Sequence, residues 1–189
     1  MAMTPISMTT SVRGLRAAAC VFGLALAIAG CRHAPADATD APSRFVVVRH
    51  AEKLPARSDA DTDPALTAAG LVRADRLARS LRDADVVAVY ATAYRRTQQT
   101  AAPTAAAHGL TVLPYEARVP AADFARQLRG RHPGGTVLVV GHSNTVPGIV
   151  AALCGCPVPP MSEAEYDHRY YVEFDAGGTP RMSDRPLSP

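Results

Sequence analysis

The chain alternates between short continuous apolar runs and longer stretches with apolar residues every three or four positions. Phe45 to Val48, Val86 to Tyr90 and Thr136 to Val140 are runs of the first kind. Such runs read as strands buried on both faces. Leu110 to Leu113 is a weaker third candidate in chain order, and Tyr166 to Phe174 fits a last, edge strand. Between them, Leu66, Ala69, Leu71, Ala74, Leu77, Ala78 and Leu81 recur with helical spacing, and Asp63 or Thr67 can cap that helix. Further helices are expected over Thr97–His108, despite Pro103, over Ala121–Arg129, and from Gly141-His142-Ser143-Asn144 through Leu153. Glycine at 109 and the turn His132-Pro133-Gly134-Gly135 supply the stops. Strands alternating with helices of this length predict a three-layer α/β/α domain with a mostly parallel sheet. The pattern does not set the strand order.

The two ends follow other rules. Arg13 and Arg16 precede a chargeless apolar run, Ala17–Ala29, which is short for a membrane span and suits the core of a signal peptide. It closes on Ile28-Ala29-Gly30-Cys31, which resembles a bacterial lipoprotein signal. That resemblance implies cleavage before Cys31 and lipidation of its thiol. Cleavage after Ala34-Pro35-Ala36 is the ordinary secretory alternative. Residues 1–30 are therefore read as a signal peptide and 31–43, rich in Ala, Pro and Asp, as a disordered tether. The domain proper is expected over 44–176, and 177–189, rich in Pro, Gly and Ser, as a loose tail.

Composition changes the picture little. The chain of 189 residues carries 20 basic and 17 acidic side chains. Removing Arg13 and Arg16 with the signal leaves a near-neutral domain, so nothing points to nucleic acid. Of four cysteines, Cys20 would leave with the signal and Cys31 would take lipid. Cys154 and Cys156 remain as an even pair, which suits export; whether they are bridged stays open. The expected location is the periplasmic face of a bacterial membrane, lipid-anchored, or else soluble in the periplasm or medium. A monomer or weak dimer is expected.

The chemistry sits at strand ends. Arg49-His50 follows the first strand, Thr92 with Arg95 and Arg96 follows the second, and His142 follows the fourth. In a parallel sheet these ends share one edge, where ligands bind. A guanidinium matches phosphate oxygens in a fork, and an imidazole nitrogen can attack phosphorus. Asp59, Asp61 and Asp63 alternate like a calcium loop but lack its glycine and distal glutamate, and read as a solvated loop.

Arg49-His50-Ala51-Glu52-Lys53, Thr92 through Ala101, and Val140-Gly141-His142-Ser143-Asn144 together resemble the three ordered signatures of the histidine phosphatase superfamily, also called phosphoglycerate-mutase-like. The resemblance implies a metal-independent phosphatase acting on small phosphomonoesters through a phosphohistidine on His50, without a cofactor. It implies phosphate contacts from Arg49, Arg96, His142 and Thr92, the last standing where the family usually has serine. His142 is expected to stay protonated against phosphate. The proton donor is the weak point. One branch takes a glutamate after the third strand, for which Glu116 is the candidate, with Asp123 behind it. Another places an aspartate after the second histidine, where this chain has Ser143. Glu52 is a further option. The rivals are a non-catalytic envelope lipoprotein binding an anionic ligand, and a metal hydrolase using His50, Glu52 and His142 as Zn ligands. His33, His108, His132 and His168 are read as peripheral.

Overall fold

The structure is a computed structural model that describes residues 42–58 and 62–187. The signal segment, Cys31, most of the tether, Asp59 and Asp61 lie outside the described residues. The described residues form six strands and four helices, alternating up to β5. They are β1 (Arg44–Arg49), α1 (Ala68–Ser80), β2 (Val86–Ala91), α2 (Arg95–Ala107), β3 (Val112–Pro114), α3 (Ala121–Arg131), β4 (Thr136–Gly141), α4 (Val146–Cys154), β5 (Arg169–Phe174) and β6 (Pro180–Asp184).

The sheet order is β3-β2-β4-β1-β5-β6. Strands β3, β2, β4 and β1 run parallel, while β5 and β6 are antiparallel additions. Central β4 is buried along its whole length. Each fully buried valine there contributes about 1.5–3 kcal/mol relative to exposure. The two-residue period of β1 serves both faces. Phe45 and Val47 pack with Phe124, Leu128, Ile149 and Leu153 of α3 and α4, whereas Val46 and Val48 pack with Leu77 of α1 and Ala101 of α2. The result is the expected three-layer α/β/α architecture.

Thr67, not Asp63, caps α1, its hydroxyl accepting from the Gly70 amide at 3.0 Å. Two readings at the carboxyl end are corrected. Residues 180–184 of the supposed loose tail form β6, whose backbone ladder pairs with β5. Strand β5 is consequently interior rather than an edge. The tail's Pro and Gly content hid this: Pro180 opens the edge strand, where a missing N–H costs nothing, and Leu187 packs beside the second core cluster. Cys154 and Cys156 are disulfide-bonded. Between them Gly155 ends α4 at φ 64°, a left-handed conformation that glycine adopts freely.

Candidate active site

Parallel pairing of β1 and β4 aligns Arg49 with Gly141. The next residues, His50 and His142, therefore emerge side by side at the carboxyl edge. The His50 amide donates to the Gly141 carbonyl at 2.9 Å, and the two imidazole centroids are 5.4 Å apart. Gly141 is required for closeness: a Cβ there would lie 2.9 Å from both the Thr145 and the Tyr115 hydroxyl oxygens. The Thr145 hydroxyl also accepts from the His142 amide at 2.9 Å, which fixes the turn carrying that ring.

His50 Nδ1 lies 2.8 Å from the Ala51 carbonyl oxygen. A carbonyl can only accept, so Nδ1 carries the proton and Nε2 keeps its lone pair. Burial, followed by the charges of Arg49, His142 and Arg96, lowers the His50 pKa to about 4. His142 Nε2 is 3.0 Å from the Thr92 hydroxyl, which also meets the Thr97 hydroxyl at 2.8 Å. Its pKa is likewise lowered to about 4, by burial first and then by Arg96 and Arg49. In the empty pocket both rings are therefore neutral at pH 7, whereas the expectation of a protonated His142 concerns the phosphate-bound pocket. A bound dianion would draw both pKa values back up.

Arg96, in the first turn of α2, lies over the Tyr94 ring at 4.3 Å. Among the described residues its nearest carboxylate is Asp63 at 3.7 Å, beyond hydrogen-bond range, and its buried Nε and Nη1 have no hydrogen-bond partner there. Asp63 also accepts from the Arg95 amide at 2.8 Å, so it has a structural role that a merely solvated loop residue would lack. Buried guanidinium nitrogens without hydrogen bonds are costly unless an anion completes them. Arg96, His50 and His142 line an open pocket of about 370 Å³, together with Lys53, Tyr94, Arg118 and Glu163. A larger concavity, about 750 Å³, lies at the opposite edge around Arg44, Arg129 and Arg181, and contains no histidine.

Residues 45–119 match the family model of the histidine phosphatase superfamily, branch 1. Over that stretch the chain is similar to this superfamily. No curated protein sequence matches it. Among solved structures, the protein histidine phosphatase SixA complexed with tungstate is 19% identical at a TM-score of 0.63, covering 76% of this chain and 97% of that one. YhfR of Bacillus stearothermophilus is 19% identical at 0.61, covering 76% and 96%. A mycobacterial glucosyl-3-phosphoglycerate phosphatase is 15% identical at 0.59, covering 77% and 98%. These likenesses are likenesses of fold.

Not every position of the three motifs is where the sequence reading led. Arg49 is buried, yet its guanidinium turns to the segment before β5. Nη1 donates to the carbonyls of Ser162 and Glu165 at 3.1 and 3.0 Å, and Nη2 donates to Glu163 at 2.7 Å. Glu116 is exposed and does not line the pocket, although Ala117 and Arg118 beside it do. Asp123 pairs with Arg126 on the surface of α3. Glu52 forms a two-oxygen pair with Arg73, so the Zn-ligand trio of the metal-hydrolase reading is not assembled. His108 meets the Leu81 carbonyl, His132 the Tyr90 hydroxyl, and His168 Asp184 and Glu165. Glu163 was not legible, because its loop has no apolar period and reaches the pocket only through the fold.

The two depressed histidines make the fold acid-sensitive. In the unfolded chain each takes a proton near pH 6.5, while in the folded protein each resists until about pH 4. Their contribution is complete above pH 6.5 and is lost as pH falls toward 4. His168, whose pKa is raised, works in the opposite direction. The guanidinium midpoint is expected to drop between pH 7.5 and pH 5. The drop should be smaller in a His50→Asn/His142→Asn variant; an equal drop in both proteins would contradict the assignment.

Proposed function

We propose that this protein hydrolyses small phosphomonoesters in two steps through a phosphohistidine on His50. The observation that carries the reading is the pairing of a tautomer-fixed His50, its Nε2 unprotonated, with an Arg96 guanidinium whose buried Nε and Nη1 lack hydrogen bonds among the described residues, in one pocket. Nε2 attacks phosphorus as the ester oxygen departs, and water then attacks the phosphohistidine and frees His50. Positive charge around the equatorial oxygens comes from Arg96, with Arg49 behind it and His142 as it gains a proton. Thr92 keeps the His142 ring in place. This scheme asks for no metal. The phosphatase names carried by the structural neighbours support the reading at the level of fold.

The test is hydrolysis of p-nitrophenyl phosphate by the purified protein with chelator present. Turnover that resists chelator and leaves an acid-labile, alkali-stable phosphoenzyme supports the proposal. Absence of turnover in a folded protein favours the anion-binding lipoprotein.

We also propose that the protein is exported and lipid-anchored at Cys31. Pro42 and Arg44 enter the domain at the start of β1, and the pocket lies beyond its end. Six strand residues at about 3.3 Å each put the start of β1 roughly 20 Å from its pocket end. Cys31→Ser is expected to move the protein from the membrane to the soluble fraction, and membrane retention of that variant would contradict the anchor.

A further inference from the structure

The two-step scheme needs a proton for the departing oxygen, and a group to accept one from the attacking water. The sequence candidates do not supply it. Glu116 is exposed and not among the pocket-lining residues, Asp123 is paired on α3, and Glu52 is held by Arg73. Among the described residues, Glu163 is the carboxylate that lines the pocket, beside His50, His142 and Ser143.

Its two oxygens are held separately. Arg49 Nη2 donates to Oε2 at 2.7 Å, and the Ser143 hydroxyl donates to Oε1. Ser143 directly follows His142. The carboxylate that this position lacks in the sequence is thus brought to it through space. The Glu163 side chain is 75% exposed, so it can exchange protons with solvent. We propose that Glu163 is the proton carrier of both half-reactions, an inference that rests on the phosphatase reading above.

In the first half-reaction the bond from His50 Nε2 to phosphorus forms and the P–O bond breaks, while the Glu163 carboxyl gives its proton to the leaving oxygen, releasing the alcohol. In the second, the Glu163 carboxylate takes a proton from water as its oxygen bonds phosphorus and the P–N bond breaks. Phosphate leaves, and Glu163 ends protonated as it began. Glu163 is faced by Arg49 from β1, by His50 and Lys53 from the following loop, and by His142 and Ser143 after β4. In the empty pocket the Ser143 hydrogen bond, followed by Arg49, His50 and Lys53, holds its carboxyl below the usual range. A phosphoryl dianion against the same groups reverses the balance, so substrate binding takes up the proton that chemistry then uses.

The experiment compares p-nitrophenyl phosphate, whose leaving group needs little protonation, with glycerol 2-phosphate, whose alkoxide needs a full proton. Wild type, Glu163→Gln, Glu163→Asp and His50→Ala are measured, with orthophosphate inhibition as a control for anion binding. Glu163→Gln is expected to lose on the order of 10²–10⁴-fold on glycerol 2-phosphate. Its first-turnover release of p-nitrophenol should fall at least tenfold less, and phosphoenzyme should accumulate because the second step lacks its base. Glu163→Asp should recover part of the loss, and orthophosphate should bind no more weakly. Equal losses on both esters together with weaker orthophosphate binding would reduce Glu163 to a prop for Arg49, and no loss would remove it altogether. Failure of the phosphatase reading itself shows separately, as a wild type inert on both esters or a His50→Ala variant as active as wild type, and either result overturns this proposal too.

Discussion

Replacing His50 with alanine is expected to lower kcat/KM for p-nitrophenyl phosphate by at least about 10⁴-fold, roughly 5.4 kcal/mol at 1.36 kcal/mol per decade. The size follows from what is removed. Arg96 and His142 can still bind the phosphoryl group and stabilise charge, but no lone pair remains to form the covalent intermediate. The fold should tolerate the change, because among the described residues the ring's one close hydrogen bond is to its neighbour, the Ala51 carbonyl. The phosphoenzyme signal should vanish together with turnover. A variant that kept a phosphohistidine would place the nucleophile elsewhere, with His142 the obvious substitute.

Arg96→Gln is expected to cost about 10²–10³-fold in kcat, the usual loss for one preorganised donor to transition-state charge. Stability should move the other way or not at all. Two of the guanidinium's nitrogens are buried without hydrogen-bond partners, and its ion pair with Asp63 is long. Removing a half-buried cation whose ion pair is long relieves part of a desolvation cost. A thermal midpoint no lower than wild type, combined with the kinetic loss, marks the residue as functional; a lower midpoint with kcat intact would mark it as structural. A third readout is independent of both. Arg96 is the leading charge that depresses His142, after burial, so in Arg96→Gln the His142 titration, followed by NMR, should move up from about 4 toward 6.5. Arg96→Lys restores the charge without the planar fork and should recover only part of the rate.

Strands β1, β2 and β4 were legible because a strand covered on both faces must be apolar throughout, and few other local structures produce such runs. Strand β6 was not, since Arg181, Ser183 and Asp184 carry no period and the strand exists only because β5 offers it a ladder. The α1 cap was legible as a choice between two residues, and only the approach of the loop after β1 to the helix start decided for Thr67, whose amide donates to the Glu52 carbonyl at 2.8 Å.

The candidate site divides the same way. His50, Arg96 and His142 were found together because their motifs sit at the ends of strands, and parallel strands bring those ends to one edge. Glu116, the carboxylate read from the sequence, is exposed and outside the pocket lining, since a side chain one residue away from pocket-lining neighbours can still face solvent. Glu163 reaches Ser143 across 20 residues of sequence, and Arg49 across 114. No local pattern encodes separations of that kind.

What the sequence by itself determined is whatever follows from short-range order: the alternation of elements, the edge on which the polar strand ends gather, and the residue types able to hold and attack a phosphoryl group. What only the tertiary structure decided is the direction in which each of those side chains is used. Arg49 is turned to the segment before β5 by carbonyls and a carboxylate that packing brings to it, and both histidines are made neutral by burial among cations. Periodicity reports which face a residue occupies; charge state and hydrogen-bond partner depend on the sum of neighbours in space, and that sum exists only once the chain has folded.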